Sequence, residues 1–131
     1  MSDTFDLVVL GGGSGGYAAA LRAAELGQSV ALIERDKVGG TCLHKGCIPT
    51  KALLHAAEVA DNVREGSTFG IRATLDGIDA GALQAYKNGV TSKLYKGLQG
   101  LIKSRGIEVI AGSGRLTSPA QVEVTLNEGG N

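Results

Sequence analysis

The sequence predicts an α/β fold, a parallel βαβ sheet with an inserted helical pair. Three observations carry this. An almost continuously apolar segment, residues 5–10, runs into a glycine cluster and then into an alanine-rich stretch, as a buried parallel strand feeding a helix would. A second apolar run closes the unit within about 30 residues, the size of a βαβ crossover. Two long stretches with apolar residues at three- and four-residue intervals then lead to a third apolar run.

The elements follow in order. Residues 5–10 form the first strand. Residues 17–26 are strong helix formers, and Gly27 stands where a helix stops. Residues 29–34 make the second strand. A helix is predicted over 50–65, with Ala52, Leu53, Ala56, Val59 and Val63 on its inner face and Pro49 suited to its first turn. Residues 66–77 read as loop. A second long helix covers 79–103 through Leu83, Tyr86, Val90, Leu94, Leu98 and Leu101, and Gly89, Gly97 and Gly100 argue for breaks in it. Residues 107–111 form the third strand, ended by Gly112-Ser113-Gly114. Residues 121–126 alternate polar and apolar as a half-exposed strand. Residues 127–131 read as a turn with no strand to follow, which predicts a bare edge and a truncated protein.

Composition narrows the function. The 131 residues suit one domain. Thirteen Lys and Arg balance thirteen Asp and Glu, so the basic footprint of a nucleic-acid binder is missing. No apolar stretch reaches the roughly 18 residues of a membrane span. Residues 1–4 carry no basic signal-peptide start, which predicts a cytoplasmic chain. Gly is 21 of 131, more than twice the average usage of about 7%. Two cysteines, Cys42 and Cys47, are too few for a disulfide scaffold and point to chemistry.

The glycines gather in Gly11-x-Gly13-x-x-Gly16, after a strand, at the start of a helix, with Glu34 ending the next strand. That context is what a Rossmann-like dinucleotide site needs. Gly11 permits the tight turn, Gly13 lets a pyrophosphate approach the backbone, and Gly16 lets helix and strand pack closely. The helix N-terminus offers free N–H groups and partial positive charge. Glu34 can accept from a ribose diol. The bland reading is a glycine turn without ligand and a solvated strand-end acid.

The second motif spans residues 39–51, Gly-Gly-Thr-Cys-Leu-His-Lys-Gly-Cys-Ile-Pro-Thr-Lys. On an ideal helix Cys42 and Cys47 would stand roughly 8–9 Å apart at Cα, whereas a disulfide needs about 4.4–6.8 Å. A bridge therefore requires a distorted turn, for which Gly46 and Pro49 provide the means. Three readings remain for this segment. They are two structural thiols, a zinc site drawn from Cys42, His44, Cys47 and His55, and a redox disulfide beside a flavin.

Gly-Gly-Thr-Cys-x4-Cys-Ile-Pro-Thr-Lys after a dinucleotide fingerprint resembles the flavin disulfide oxidoreductases. Through Ile48 and the residues after Lys51 it is most similar to their dihydrolipoamide dehydrogenase branch, rather than to the glutathione or mercuric reductases. The resemblance covers nearly the whole chain. It implies an enzyme that binds FAD and oxidises a small-molecule or lipoyl-domain dithiol with NAD+ as acceptor. Gly11, Gly13 and Gly16 would hold the FAD pyrophosphate, and Glu34 the adenosine ribose. Arg35, Gly40, Thr41 and Cys42 would lie along the cofactor, Gly114 would meet the adenine edge, and Lys51 would reach the polar edge of the flavin ring. Cys42 would be the sulfur attacked by substrate, and Cys47 the thiolate facing the flavin.

Members of that family are several times longer, and add an NAD domain and a dimerisation domain that supplies a His–Glu base to the partner. The resemblance therefore predicts that residues 1–131 are the N-terminal part of the FAD-binding domain, inactive alone. The parent would be a homodimer within a 2-oxoacid dehydrogenase complex, with neither nucleic acid nor membrane as partner. Neither His44 nor His55 is promoted to the missing base, and no metal is expected. The rival from another class is a non-catalytic nucleotide-binding module.

Overall fold

The computed structural model describes residues 3–128. Four strands line up in the order β1 (Leu7–Leu10), β2 (Val30–Glu34), β3 (Glu108–Ser118) and β4 (Gln121–Leu126). The first three are parallel, with Leu7 opposite Val30 and Ala31 opposite Glu108. β4 runs antiparallel to β3. Helix α1 (Ser14–Glu25) makes the first crossover, and α2 (Gly40–His44), α3 (Cys47–Glu65) and α4 (Ala80–Ser104) fill the second. The predicted α/β sheet with an inserted helical pair is the architecture observed, with α2 added ahead of the pair.

The main apolar cluster lies between one face of the sheet and the helices α1 and α4. β2 is buried along Val30, Ala31, Leu32 and Ile33, as a strand covered on both faces must be. Ala20 and Ala23 of α1 and Ile102 of α4 close over it with Val38 and Ile107, and Leu7, Val9 and Leu98 pack at the margin. Alanine on the inner face of α1 lets that helix approach closely. Gly27 ends α1 in the left-handed conformation, φ +83°, as its place in the sequence predicts.

Three expectations need correction. α4 is unbroken through Gly89, Gly97 and Gly100, because packing outweighs the weak propensity of three glycines. It starts after Asp79, whose carboxylate caps the Ala82 N–H at 2.9 Å. On the inner faces, Val59, Tyr86, Leu94 and Leu101 are exposed, while Ala60 and Ile102 are buried. The buried positions of α3 are the small residues Ala52 and Ala60, and the large apolar Leu54 and Val59 stand exposed.

β3 is 11 residues long rather than five. Gly112-Ser113-Gly114 lies inside it, where pairing changes from β2 on one side to β4 on the other. β4 returns along β3 as a hairpin, with Gly112 opposite Leu126 and Ser118 opposite Gln121, and its other side is the edge of the sheet, as the half-exposed alternation over 121–126 predicts. Of the predicted final turn, Asn127 and Glu128 do form a turn, and residues 129–131 lie outside the described residues. Among the described residues no helix is long and apolar enough to cross a membrane.

Candidate functional site

The site begins where β1 gives way to α1. Gly11 turns the chain at φ +91°, a conformation that side chains resist, and its N–H donates to Ile33 O at 2.8 Å. A Cβ on Gly16 would land on Gly11 O, so this glycine is what lets α1 start against the strand. Gly13 and Gly15 have open space where a Cβ would be. No side chain caps the N-terminus of α1, and its first turn holds no acid. The amides and the helix dipole are therefore presented outward to an anion.

Glu34 lies across this turn. Its Oε2 accepts from the Gly12 N–H at 2.7 Å and its Oε1 from the Asp36 N–H at 2.8 Å. Beside it a cleft of about 360 Å³ opens between Gly11, Glu34, Arg35, Ser113 and Gly114. Gly114 has a packing reason of its own, since a Cβ there would meet Leu10 Cδ2 at 2.5 Å. Asn127 Nδ2 donates to Arg35 O at 3.0 Å and braces the rim.

The thiol segment is joined to the glycine turn. The Gly39 N–H donates to Gly12 O at 2.7 Å. Gly40, at φ +59°, packs so closely that a Cβ would stand 2.9 Å from Gly13 Cα. α2 then carries Thr41 and Cys42. The helix breaks at Lys45 and Gly46, with Gly46 at φ −124° and ψ −108°, and α3 restarts at Cys47. This is the distorted turn that the cysteine spacing requires. Gly46 makes it, because any Cβ there would press on Thr41 O at 3.1 Å. Pro49 lies within the first turn of α3 and does not break it.

Cys42 is half-buried, Cys47 is exposed, and both are free thiols. Hydrogen bonding with the Cys47 side chain, followed by desolvation, pushes the Cys42 thiol above its ordinary value, while Lys51 pulls it down. Lys51 is four residues after Cys47 on α3 and so shares its face. The four candidate zinc ligands do not converge. His44 Nε2 lies 2.9 Å from Val38 O, and His55 Nδ1 3.3 Å from Glu58 Oε2. Among the described residues no group of three or more His, Cys, Asp or Glu could hold a metal ion.

The structure thus brings Gly11, Glu34, Arg35 and Gly114 to one cleft and Cys42, Cys47 and Lys51 to one turn, with Gly13 and Gly40 where the two meet. Sequence reasoning missed Gly12 and Gly39. Both are buried and make the hydrogen bonds that join the halves. Their signal was present only as an extra glycine at a variable position of the first motif and at the leading position of the second.

Residues 5–130 match the family described as pyridine nucleotide-disulphide oxidoreductase. The chain is 47% identical over 120 residues to dihydrolipoyl dehydrogenase of Bacillus subtilis (strain 168), covering 92% of this chain and 25% of that protein. It is 44% identical over 129 residues to dihydrolipoyl dehydrogenase of Zymomonas mobilis, covering 98% and 28%. It is 41% identical over 132 residues to leghemoglobin reductase of Vigna unguiculata, covering 99% and 25%. The chain spans about a quarter of the length of these curated relatives.

Proposed function

This chain belongs to the pyridine nucleotide-disulphide oxidoreductase family, and from that premise we propose that it is the FAD-binding, disulfide-bearing part of an enzyme that oxidises dihydrolipoyl groups with NAD+. The observation that carries the reading is the junction of the two motifs. Gly39 N–H bonded to Gly12 O, with Gly40 against Gly13, keeps the thiol turn beside the glycine turn.

The residues present fit an adenine dinucleotide. An uncapped helix N-terminus, open backbone at Gly13 and Gly15, and a cleft edged by Glu34 and Gly114 suit a pyrophosphate and an adenosine. Gly11, Gly13 and Gly16 would hold the pyrophosphate, Glu34 the ribose, Gly114 the adenine edge, and Arg35, Gly40, Thr41, Cys42 and Lys51 the remaining length. Bound FAD would supply a two-electron acceptor for the thiols and a donor to NAD+.

The protein's own step is thiol–disulfide exchange. In the oxidised pair, a substrate thiolate attacks Cys42 Sγ. The Cys42–Cys47 bond breaks, and Cys47 leaves as a thiolate with the electron pair. The second substrate thiol attacks the mixed disulfide, which frees Cys42 and releases oxidised substrate. On this reading the full enzyme is a cytoplasmic homodimer serving a 2-oxoacid dehydrogenase complex, and residues 1–131 form no NADH by themselves.

The test is spectroscopic. The chain is incubated with FAD, freed of excess, and reduced by two electrons per flavin. A broad long-wavelength band is expected in the wild type after this reduction, in Cys42→Ser before any reductant is added because its remaining thiol is already free, and in neither state of Cys47→Ser. Bound FAD with no band and no cycling of the thiols would favour the non-catalytic nucleotide module. NADH production from dihydrolipoamide and NAD+ by residues 1–131 would overturn the assignment of the remaining steps to other domains.

A further inference from the structure

α2 is five residues long, too short to hold itself, since a first helical turn fixes more freedom than its hydrogen bonds return. Its place is set by what its side chains touch. Leu43 is buried in space left by the missing Cβ of Gly39. His44 makes the other anchor. Its Nε2 lies 2.9 Å from Val38 O. A carbonyl only accepts, so Nε2 carries the proton and donates. The same ring stands edge-on to Tyr95, with centroids 4.8 Å apart and planes at 79°, an attractive arrangement for two aromatic rings. Val38 is a buried residue of the loop entering α2, and Tyr95 belongs to α4. One imidazole therefore ties the end of α2 to the core loop behind it and the long helix beside it. Cys42 is two residues before His44, and Cys47 follows three residues after it, past the break at Gly46.

We propose that His44, braced by Tyr95, is a positioning residue for the thiol pair, holding Cys42 at the separation from Cys47 at which a disulfide closes. This rests on the reading of Cys42 and Cys47 as a redox pair. Its effect is on the exchange with glutathione disulfide. There the two thiols are oxidised, the Cys42–Cys47 bond forms, and the glutathione S–S bond breaks. Two electrons and two protons end on two glutathione thiols. The equilibrium constant measures how well the fold presents the two sulfurs to each other.

The test is a titration of the protein in glutathione redox buffers, with acid quench, alkylation and mass readout. Loss of the aromatic pair together with the hydrogen bond should lower the constant by about tenfold in His44→Ala, and loss of the pair alone by about threefold in Tyr95→Leu. The double variant should fall no further than the worse single one, because both remove the same brace. Tyr95→Phe, which keeps the ring, should titrate as wild type. His44→Gln, which keeps a donor but no ring, should fall between. His44→Ala and Tyr95→Leu within twofold of wild type, or additive effects, would overturn the proposal. So would a fall in urea midpoint with the constant unmoved, which is what a merely structural role gives. A wild-type chain that forms no Cys42–Cys47 disulfide would overturn the redox-pair reading and this proposal together. A normal titration without FAD uptake would sink the flavin reading and leave the brace standing.

Discussion

β2 is buried along four successive residues, Val30 to Ile33, at 3% exposure or less. The α3–α4 hairpin is the opposite. Its buried positions near the contact are Ala52 and Ala60, while Leu54, Val59, Tyr86 and Leu94 remain 45–62% exposed. The sheet half stabilises itself by removing its large side chains from water. The hairpin buries small residues and leaves large apolar ones exposed. Yet the hairpin carries Cys47 and Lys51, and the sheet half carries the glycine turn. One half is a buried base and the other an exposed arm, and the thiol turn lies where they join.

The largest expected effect tests that difference directly. Leu32 is fully buried at the centre of the sheet, so Leu32→Ala should cost about 2–5 kcal/mol, the range for a core leucine that leaves a cavity. Val59→Ala, at an exposed position on α3, should cost less than about 0.5 kcal/mol. Urea unfolding of both variants checks the pair. Similar losses would mean that the hairpin is as well packed as the sheet, and the contrast would be gone.

The same difference explains what could be read in the sequence. The glycine turn was legible because its requirements are local. Gly11 needs its φ and Gly16 its missing Cβ within a few residues, and Glu34 follows at the end of the adjoining strand. The cysteine spacing was legible for a similar reason, since five residues of ideal helix cannot bring two sulfurs together, and Gly46 makes the break. What was hidden depends on partners far along the chain. Gly12 and Gly39 meet only when the loop after β2 folds back. His44 meets Tyr95 across 51 residues. Ile102 is buried by the sheet rather than by α3. Gly112 and Gly114 read as a stop because β4, which pairs with them, comes later.

A smaller effect of opposite sign sharpens the picture of the arm. Gly97 lies inside α4 with nothing within 4 Å of where its Cβ would be. Gly97→Ala should therefore stabilise by about 0.5–1 kcal/mol, through helix propensity and a less flexible unfolded chain. Slower hydrogen exchange along α4, with the sheet amides unchanged, would place that gain in the arm. A loss of stability would show that α4 is packed there more tightly than its open surface indicates.

The smallest effect is at the base, where pH reads a single tie. Asp6 and Ser29 join the entries of β1 and β2. Asp6 Oδ2 accepts from Ser29 N–H and from its hydroxyl, both at 2.8 Å, and the Asp6 N–H donates to Ser29 Oγ at 2.9 Å. The backbone bond first, and then the hydroxyl, hold the Asp6 carboxyl below its ordinary value of 3.8. A carboxyl whose folded pKa lies below its unfolded one stabilises the fold above the unfolded value, and loses that contribution as pH falls through the folded one. Asp6→Asn keeps an acceptor but removes the charge. It should therefore be less stable than the wild type near neutral pH, with the gap closing as pH drops below 3.8. Denaturation midpoints at about pH 7, 5 and 3 measure the gap. A gap that stays constant across that range would mean that the tie rests on shape and neutral hydrogen bonding, with the carboxylate charge adding nothing.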